Sequence, residues 1–128
     1  LRNPGELAQL KCPYRWLGTL SADELRQLYS AAAVVLSTSR FETMGATLME
    51  GMAAGATPVT FGRGGQSDIV THGINGYIAD YGSAESVADC LARALSRPVF
   101  TREAQHASVA SRFSAVSVAS RFRSLLQL

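Results

Sequence analysis

Short apolar runs and longer stretches with helical spacing alternate along the chain. The runs at 33–37 (Ala-Val-Val-Leu-Ser) and 57–61 (Thr-Pro-Val-Thr-Phe) have the length of strands. The first is apolar almost throughout, as is typical of a strand buried on both faces. A further strand is predicted at 14–18, where the chain turns at Gly18. The alternation predicts an α/β fold with a Rossmann-like parallel sheet flanked by helices and joined by right-handed crossovers.

Helix ends are marked by local signals. Ser21 and Glu24 have the Ser-x-x-Glu spacing of a capping box, so a helix is expected to begin after Ser21. A second helix is expected over 44–54, with Gly55 suited to close its C-terminus. Further helical segments are expected at 68–70, 84–95, 101–112 and 115–127.

The helix over 44–54 carries an isolated charge. Between Glu42 and Arg63 the only ionisable side chain is Glu50, and its neighbours are small or apolar. The helix is therefore expected to be packed inside the protein. Because carboxylates are almost never buried without a partner, Glu50 needs a ligand, a donor or an opening to solvent. Two simpler interpretations stay open: Glu50 points out of an open helix edge, and Glu42 is only a first-turn acid that favours the helix dipole.

Two loops follow the predicted strands, at 37–45 and 61–65. In parallel sheets ligands bind at the carboxyl ends of the strands, so both loops are expected side by side on one edge. If the helix begins near Met44, the backbone N–H groups of residues 45–47 are unpaired donors at its N-terminus. Such a helix end binds anions, and phosphate is the usual occupant.

The two carboxylates extend this anion site. Glu50 lies one turn into the helix, where an ionised carboxylate suits a pair of vicinal hydroxyls such as those of a ribose. Glu42, across the helix mouth, can accept hydroxyls of a second sugar, with a diphosphate between them. This arrangement predicts a nucleotide-sugar ligand. The glycine-rich loop at 62–65 is neither a P-loop nor a dinucleotide fingerprint, because the spacing of both motifs is absent.

Composition and charge limit the class of protein and its expected partners and location. The chain has 128 residues, 47% hydrophobic and 17% charged, which fits one globular domain with its own core. A net charge of +2 is too small to imply a nucleic-acid partner. Arginines dominate the last third, which predicts a solvated helical face, with contact to an anionic membrane as the alternative. Cys12 and Cys90 lack metal or redox spacing, which favours reduced thiols and a cytoplasmic location. If the arginines contact an anionic membrane, the location would be peripheral at its inner face.

Several segments together resemble the C-terminal nucleotide-binding domain of retaining GT-B glycosyltransferases of the "group 1" family. The hallmark of that family is two glutamates separated by seven residues, here Glu42 and Glu50. The resemblance covers roughly residues 12–95. The segments that carry it are Phe41–Gly45, Glu50–Gly55, Pro58-Val59, Gly64-Gly65, Asp68–Val70 and Gly73–Tyr77.

The resemblance implies a role for each matching position. Glu42 is the candidate catalytic residue, holding hydroxyls of the donor sugar, and Glu50 is expected to bind the ribose. The remaining donor-binding residues are expected to be Thr43, Met44, Gly45, Ala46, Thr47, Gly64 and Gly65. The implied reaction moves a sugar from a nucleotide-diphosphate-sugar, such as a UDP- or GDP-sugar, to an acceptor hydroxyl with retained anomeric configuration. The resemblance implies neither a metal ion nor a separate cofactor.

The resemblance also implies that parts of the family's architecture lie outside these residues. Residues 1–128 are expected to form a single, partial C-terminal donor-binding domain. The N-terminal Rossmann-like domain that holds the acceptor would be absent, and so would the strand–helix units whose Arg and Lys hold the diphosphate. The chain alone is then expected to be inactive. Two alternatives stay open: a non-catalytic nucleotide-binding or assembly module, and a sugar-nucleotide epimerase on the same scaffold.

Overall fold

Three parallel strands and six helices make up the part of the chain that the computed structural model describes, residues 11–96 and 100–126. The strands are β1 Val34–Ser37, β2 Thr57–Thr60 and β3 Tyr77–Ile78. The helices are α1 Ala22–Ala31, α2 Ala46–Ala53, α3 Gln66–Ile69, α4 Ala84–Ser96, α5 Arg102–Phe113 and α6 Ala115–Leu126. The strand order is β1-β2-β3, and both pairings are parallel. The predicted α/β fold with a parallel sheet flanked by helices is confirmed.

Helices cover both faces of the sheet, and each face has its own apolar cluster. On one face α2 packs against β1 and α5 packs against α2, around Val35, Leu48, Met52, Ala56, Ile69, Val70 and Val109. On the other face α4 packs against β2 and β3, around Val59, Tyr77, Ala79, Cys90 and Ala94. All four residues of β2 are buried. The expectation of burial on both faces fails for β1, because β1 lies at the edge of the sheet and Leu36 is 43% exposed.

The predicted capping box at the start of α1 is confirmed. The Ser21 hydroxyl accepts a hydrogen bond from the Glu24 backbone N–H, and the Glu24 carboxylate accepts one from the Ser21 N–H at 2.8 Å. The bonds from the Ser21 side chain and backbone lower the pKa of Glu24, because they favour the ionised carboxylate. The strand predicted at 14–18 is wrong: within the described residues it joins no sheet, and Tyr14 and Trp16 are more than half exposed. A strand needs a neighbouring strand with which to form hydrogen bonds, and an apolar pattern does not show whether such a neighbour exists.

Glycines define both ends of α2. Gly45 is the N-cap in the left-handed conformation (φ +69°), so the helix begins two residues later than predicted. Gly55, at φ +94°, follows the last turn, as predicted. The Ala56 N–H donates to the Gly51 carbonyl at 2.9 Å, and the Gly55 N–H donates to the Met52 carbonyl at 2.8 Å. These two bonds are those of a Schellman motif and satisfy the carbonyls at the helix end.

Arg102 ties the first turn of α5 to two helix C-termini. Its guanidinium donates to the carbonyl oxygens of Ser30 at 2.6 Å, of Ala32 and of Ala54. A cation at helix C-termini is favourable because it offsets the negative end of the helix dipole. Arg112 similarly donates to the Asp68 carbonyl. The arginine-rich last third is therefore not only a solvated face, since these two side chains hold α5 against the rest of the fold.

The close packing of α2 on β1 depends on Gly51. A Cβ at this position would lie 2.7 Å from Val35 Cγ1. Gly51→Ala is therefore expected to lower the free energy of unfolding by about 1–3 kcal/mol through overpacking, even though alanine favours a helix by about 1 kcal/mol. Urea unfolding of the full-length protein measures this. In a Val35→Ala background the same change should cost less but still cost something, because both Val35 methyls are gone while the Cβ at 2.8 Å remains. A Gly51→Ala variant more stable than the wild type would contradict the packing argument.

Among the helices of the described ranges, none combines the length and the apolar run that crossing a membrane requires.

Candidate functional site

The two loops at the carboxyl edge of the sheet lie in direct backbone contact, as predicted. Glu42 and Gly64 form an isolated parallel bridge, and the Gly65 N–H donates to the Glu42 carbonyl at 2.7 Å. A Cβ on Gly64 would lie 2.3 Å from the Glu42 oxygen, and a Cβ on Gly65 would lie 2.2 Å from the Thr43 oxygen. Only glycine fits so close to these carbonyls, so the Gly64–Gly65 pair allows the two loops to meet.

The N-terminus of α2 opens beside this contact. The Gly45 carbonyl accepts the first helical bond, from the Leu48 N–H at 3.0 Å. The N–H groups of Ala46 and Thr47 have no acceptor within the described part of the chain, and both residues are exposed. Together with the positive end of the helix dipole, these donors can bind an anion. Ala46 and Thr47 thus carry unpaired donors of the kind that the predicted anion site requires, while Met44 precedes the helix and is 60% exposed.

Glu42 lies in the loop that precedes α2 rather than in the helix. Its side chain is half-buried and accepts a hydrogen bond from the Ser39 hydroxyl at 3.0 Å. The first turn of α2 contains no acid. The alternative in which Glu42 merely favours the helix dipole from the first turn is therefore wrong. The contact with Ser39 and the backbone bridge to Gly64 hold this carboxylate at the rim of the helix mouth.

The expectation that α2 is buried and encloses Glu50 is wrong. Only Leu48, Gly51 and Met52 are buried; the opposite face is exposed and carries Glu50 together with Ala46, Thr47 and Ala53. The exposed face consists mostly of small residues, so composition alone made it look like a buried one. Glu50 has both a solvent opening and a donor, since the Tyr29 hydroxyl lies 3.3 Å from its Oε2. Glu50 therefore lies at an open helix edge, where its carboxylate is accessible to a ligand.

Tyr29 connects Glu50 to an open groove between α1 and α2. The groove has a volume of about 530 Å³, and Tyr29 and Glu50 are among its lining residues, with Leu25 and Arg26 on the α1 side. Burial, followed by the nearby Glu50 charge, raises the pKa of Tyr29, because both favour the protonated hydroxyl that donates to Glu50. The sequence alone did not single out Tyr29 as a residue of the site. No sequence signal identified its contact with a residue 21 positions away.

The site therefore offers two kinds of groups. The N–H donors at the start of α2 suit an anion, while the carboxylates of Glu42 and Glu50 suit hydroxyl groups. The nearby Arg63 guanidinium lies over the Tyr81 ring, 3.8 Å from its centroid. Across residues 11–96 and 100–126, no three His, Cys, Asp or Glu side chains form a cluster that could hold a metal ion.

A parallel sheet with helices on both faces and an open site at its carboxyl edge defines the Rossmann-like class of α/β proteins. The particular family follows from a comparison of sequences, in which the family described as "Glycosyl transferases group 1" matches residues 6–111. The chain belongs to this family.

Related proteins agree with this assignment. The chain is 36% identical over 81 residues to an uncharacterised glycosyltransferase of Methanocaldococcus jannaschii, covering 63% of this chain and 21% of that protein. It is 43% identical over 63 residues to the glycogen synthase of Chlamydia muridarum, covering 49% of this chain and 13% of that enzyme. The chain thus spans about a fifth or less of the length of these relatives.

Solved structures show the same fold. Anabaena HepE, crystallised with UDP and glucose, has a TM-score of 0.73 and 24% identity, covering 88% of this chain and 31% of that one. Sucrose-phosphate synthase from Thermosynechococcus elongatus has a TM-score of 0.76 and 24% identity, covering 87% and 29%. These likenesses concern the fold, and they confirm that it is part of the GT-B glycosyltransferase architecture.

Proposed function

We propose that this chain is the donor-binding part of a glycosyltransferase that moves a sugar from a nucleotide-diphosphate-sugar to an acceptor hydroxyl with retained anomeric configuration. One observation carries the proposal: Glu42 lies in the loop at the carboxyl edge of the sheet, the unpaired N–H groups of Ala46 and Thr47 begin α2 shortly after it, and Glu50 lies one turn further along the exposed face of α2. Membership of the group 1 family supports it. So does HepE, a protein of the same fold crystallised with UDP-glucose.

The proposed donor spans the helix mouth. Its diphosphate faces the N–H groups of Ala46 and Thr47, which together with the helix dipole stabilise the negative charge that builds on the leaving group. The carboxylate of Glu50 accepts the ribose hydroxyls, one turn further along the exposed face of α2. On the other side Glu42 accepts hydroxyls of the transferred sugar, beside the Gly64–Gly65 pair. Fixed donors at the departing diphosphate supply the catalytic effect, because they need no reorganisation during the reaction.

The proposal assigns the acceptor to a part of the protein outside these residues. Residues 1–128 would form a partial C-terminal domain, and a facing N-terminal domain would hold the acceptor. The chain alone is expected to bind a nucleotide-sugar weakly or not at all, and to transfer no sugar. Turnover of a nucleotide-sugar by these 128 residues alone would contradict this division.

Glu50→Ala in the full-length protein tests the donor site directly. Loss of a hydrogen bond to a charged group costs about 1.5 kcal/mol at an open position, so donor affinity should fall roughly tenfold. Calorimetric titration with UDP-glucose and with GDP-glucose measures the affinity and identifies the base. The matched control is Glu85→Ala, an exposed first-turn acid of α4 that should leave affinity unchanged. Equal affinity in Glu50→Ala and the wild type would refute the ribose assignment.

A companion assay separates the enzyme classes. Slow donor hydrolysis, in which water replaces the acceptor, is expected of a glycosyltransferase. An epimerase would instead convert UDP-glucose to an isomer without releasing UDP, and an assembly module would bind the donor without turnover. Either of the last two results would overturn sugar transfer as the function.

A further inference from the structure

Gln66, the first residue of α3, is fully buried beneath the two site loops. Its Oε1 accepts a hydrogen bond from the Thr60 hydroxyl at 2.6 Å, and its Nε2 donates to the Ser37 hydroxyl at 3.1 Å. Ser37 is the last residue of β1, and Thr60 is the last residue of β2. One side chain therefore joins the carboxyl ends of two neighbouring strands.

The same residue contacts the loops that form the site. Gln66 directly follows Gly65, whose N–H donates to the Glu42 carbonyl. Its Oε1 lies 3.5 Å from the Arg63 N–H, inside the glycine-rich loop. Its stem lies under the N-cap of α2, because a Cβ on Gly45 would be 3.7 Å from Gln66 Cγ. Gln66 thus contacts the strand ends, the glycine-rich loop and the helix N-terminus.

Filling this space does not by itself require an amide. An unbranched apolar side chain of similar volume would occupy the position without the cost of burying polar atoms. A buried amide whose oxygen and nitrogen are both hydrogen-bonded fixes the relative positions of its partners, because water cannot compete for these bonds. Gln105 provides a contrast. It is equally buried on α5, yet its Oε1 has no partner within the described residues and its Nε2 bonds the Asn75 carbonyl, away from the site.

We propose that Gln66 is a positioning residue for the donor site. Its bonds to Ser37 and Thr60 anchor the start of α3 to the sheet, and α3 in turn fixes the Gly64–Gly65 pair against the backbone of Glu42. The spacing between Glu42 and the N-terminus of α2 then depends on an amide that touches no substrate. The inference rests on the proposed function, because it assigns Gln66 a purpose in donor binding.

The test is Gln66→Met in the full-length protein, compared with Gln105→Met. Methionine keeps the unbranched shape and removes both hydrogen bonds. KM for UDP-glucose in the hydrolysis assay should rise about tenfold in Gln66→Met, as expected for about 1.4 kcal/mol of lost positioning. It should not change in Gln105→Met. A merely structural residue would lower the unfolding midpoint and leave KM of the folded enzyme at the wild-type value.

Hydroxyl deletions in the same network extend the test. Thr60→Val removes the 2.6 Å bond to Gln66 and a weaker 3.4 Å bond from the Gly62 N–H, and it keeps the shape of a buried, β-branched strand residue. Thr60→Val should raise KM alone, and it should add little in the Gln66→Met background, because both changes remove the bond between Thr60 and Gln66. If Gln66→Met does not fold, Thr60→Val and Ser37→Ala make the same comparison. Wild-type KM in these variants, or full additivity, would overturn the proposal.

Amide exchange of Gly65 separates this inference from the proposed function. Its N–H is bonded to the Glu42 carbonyl, so loosening of the loop should speed its exchange about tenfold in Gln66→Met, for the same 1.4 kcal/mol. A wild-type protein without donor binding or hydrolysis would refute the proposed function, whatever the exchange result. Wild-type exchange in Gln66→Met, in a protein that does hydrolyse donor, would refute the positioning role alone.

Discussion

Sugar transfer by the full-length protein is expected to fall about 100-fold when Glu42 is replaced by alanine, because a hydrogen bond to a charged group at the reacting centre contributes roughly 1.5–3 kcal/mol. The loss should lie mainly in kcat. Glu42 lies at the rim of the helix mouth, held by Ser39 and by the backbone bridge to Gly64, where the proposed donor places its transferred sugar. Interactions that orient this sugar are realised most fully in the transition state, so their removal lowers the rate more than the affinity.

Two further variants make the Glu42 result specific. Ser39→Ala should have a smaller effect of the same kind, because it loosens the carboxylate without removing it. Glu85→Ala removes an exposed acid of α4 and should leave the rate unchanged. A Glu42→Ala enzyme with wild-type kcat would show that this glutamate is not the catalytic residue. A fall in donor affinity with kcat preserved would assign it to ground-state binding instead.

Features that depend on short local sequence signals were predictable from the sequence. The capping box of Ser21 and Glu24, the closing glycine Gly55 and the meeting of the two loops all appear as expected. A cap requires side chains only three residues apart. The meeting of the loops follows from parallel strand order, since the carboxyl ends of parallel strands share one edge. The candidate site could be located for the same reason.

Features that depend on a distant neighbour were not predictable. Composition indicated a buried α2, yet Ala46 and Thr47 face solvent, because small residues are compatible with either side of a helix. A strand at 14–18 needs a partner that its own sequence cannot supply. The contact between Tyr29 and Glu50 and the bond from Gln66 to Ser37 join residues more than 20 positions apart. Such partners are set by tertiary packing, and no spacing rule reveals them.

Two glycines, Gly65 and Gly82, allow steric crowding to be distinguished from backbone strain. Gly65 has φ −59°, which any residue adopts, but its missing Cβ would lie 2.2 Å from the Thr43 carbonyl oxygen. Gly82 is the opposite case, with φ +78° and open space around the position. Alanine at 65 therefore meets a steric obstacle only, while alanine at 82 meets a conformational one only.

Gly65→Ala is accordingly expected to push the glycine-rich loop away from Glu42 and Thr43. The displacement should break the hydrogen bond from the Gly65 N–H to the Glu42 carbonyl and misplace the Glu42 carboxylate. A shift of about 1 Å in such a site can cost on the order of 100-fold in rate, so hydrolysis of UDP-glucose should fall by that factor and donor affinity should fall with it. Gly82→Ala should lower the free energy of unfolding by about 1–2 kcal/mol and leave the kinetics of the folded enzyme unchanged.

Urea unfolding and steady-state kinetics on the same preparations distinguish these outcomes. If Gly65→Ala keeps wild-type kinetics, the contact between the loops does not position the site. If Gly82→Ala loses donor affinity as strongly as Gly65→Ala, general loosening of the fold explains both results. The steric explanation is supported only if Gly65→Ala loses catalysis while Gly82→Ala loses stability alone. The Gly64–Gly65 pair would then be glycine because the backbone around Glu42 packs directly against it.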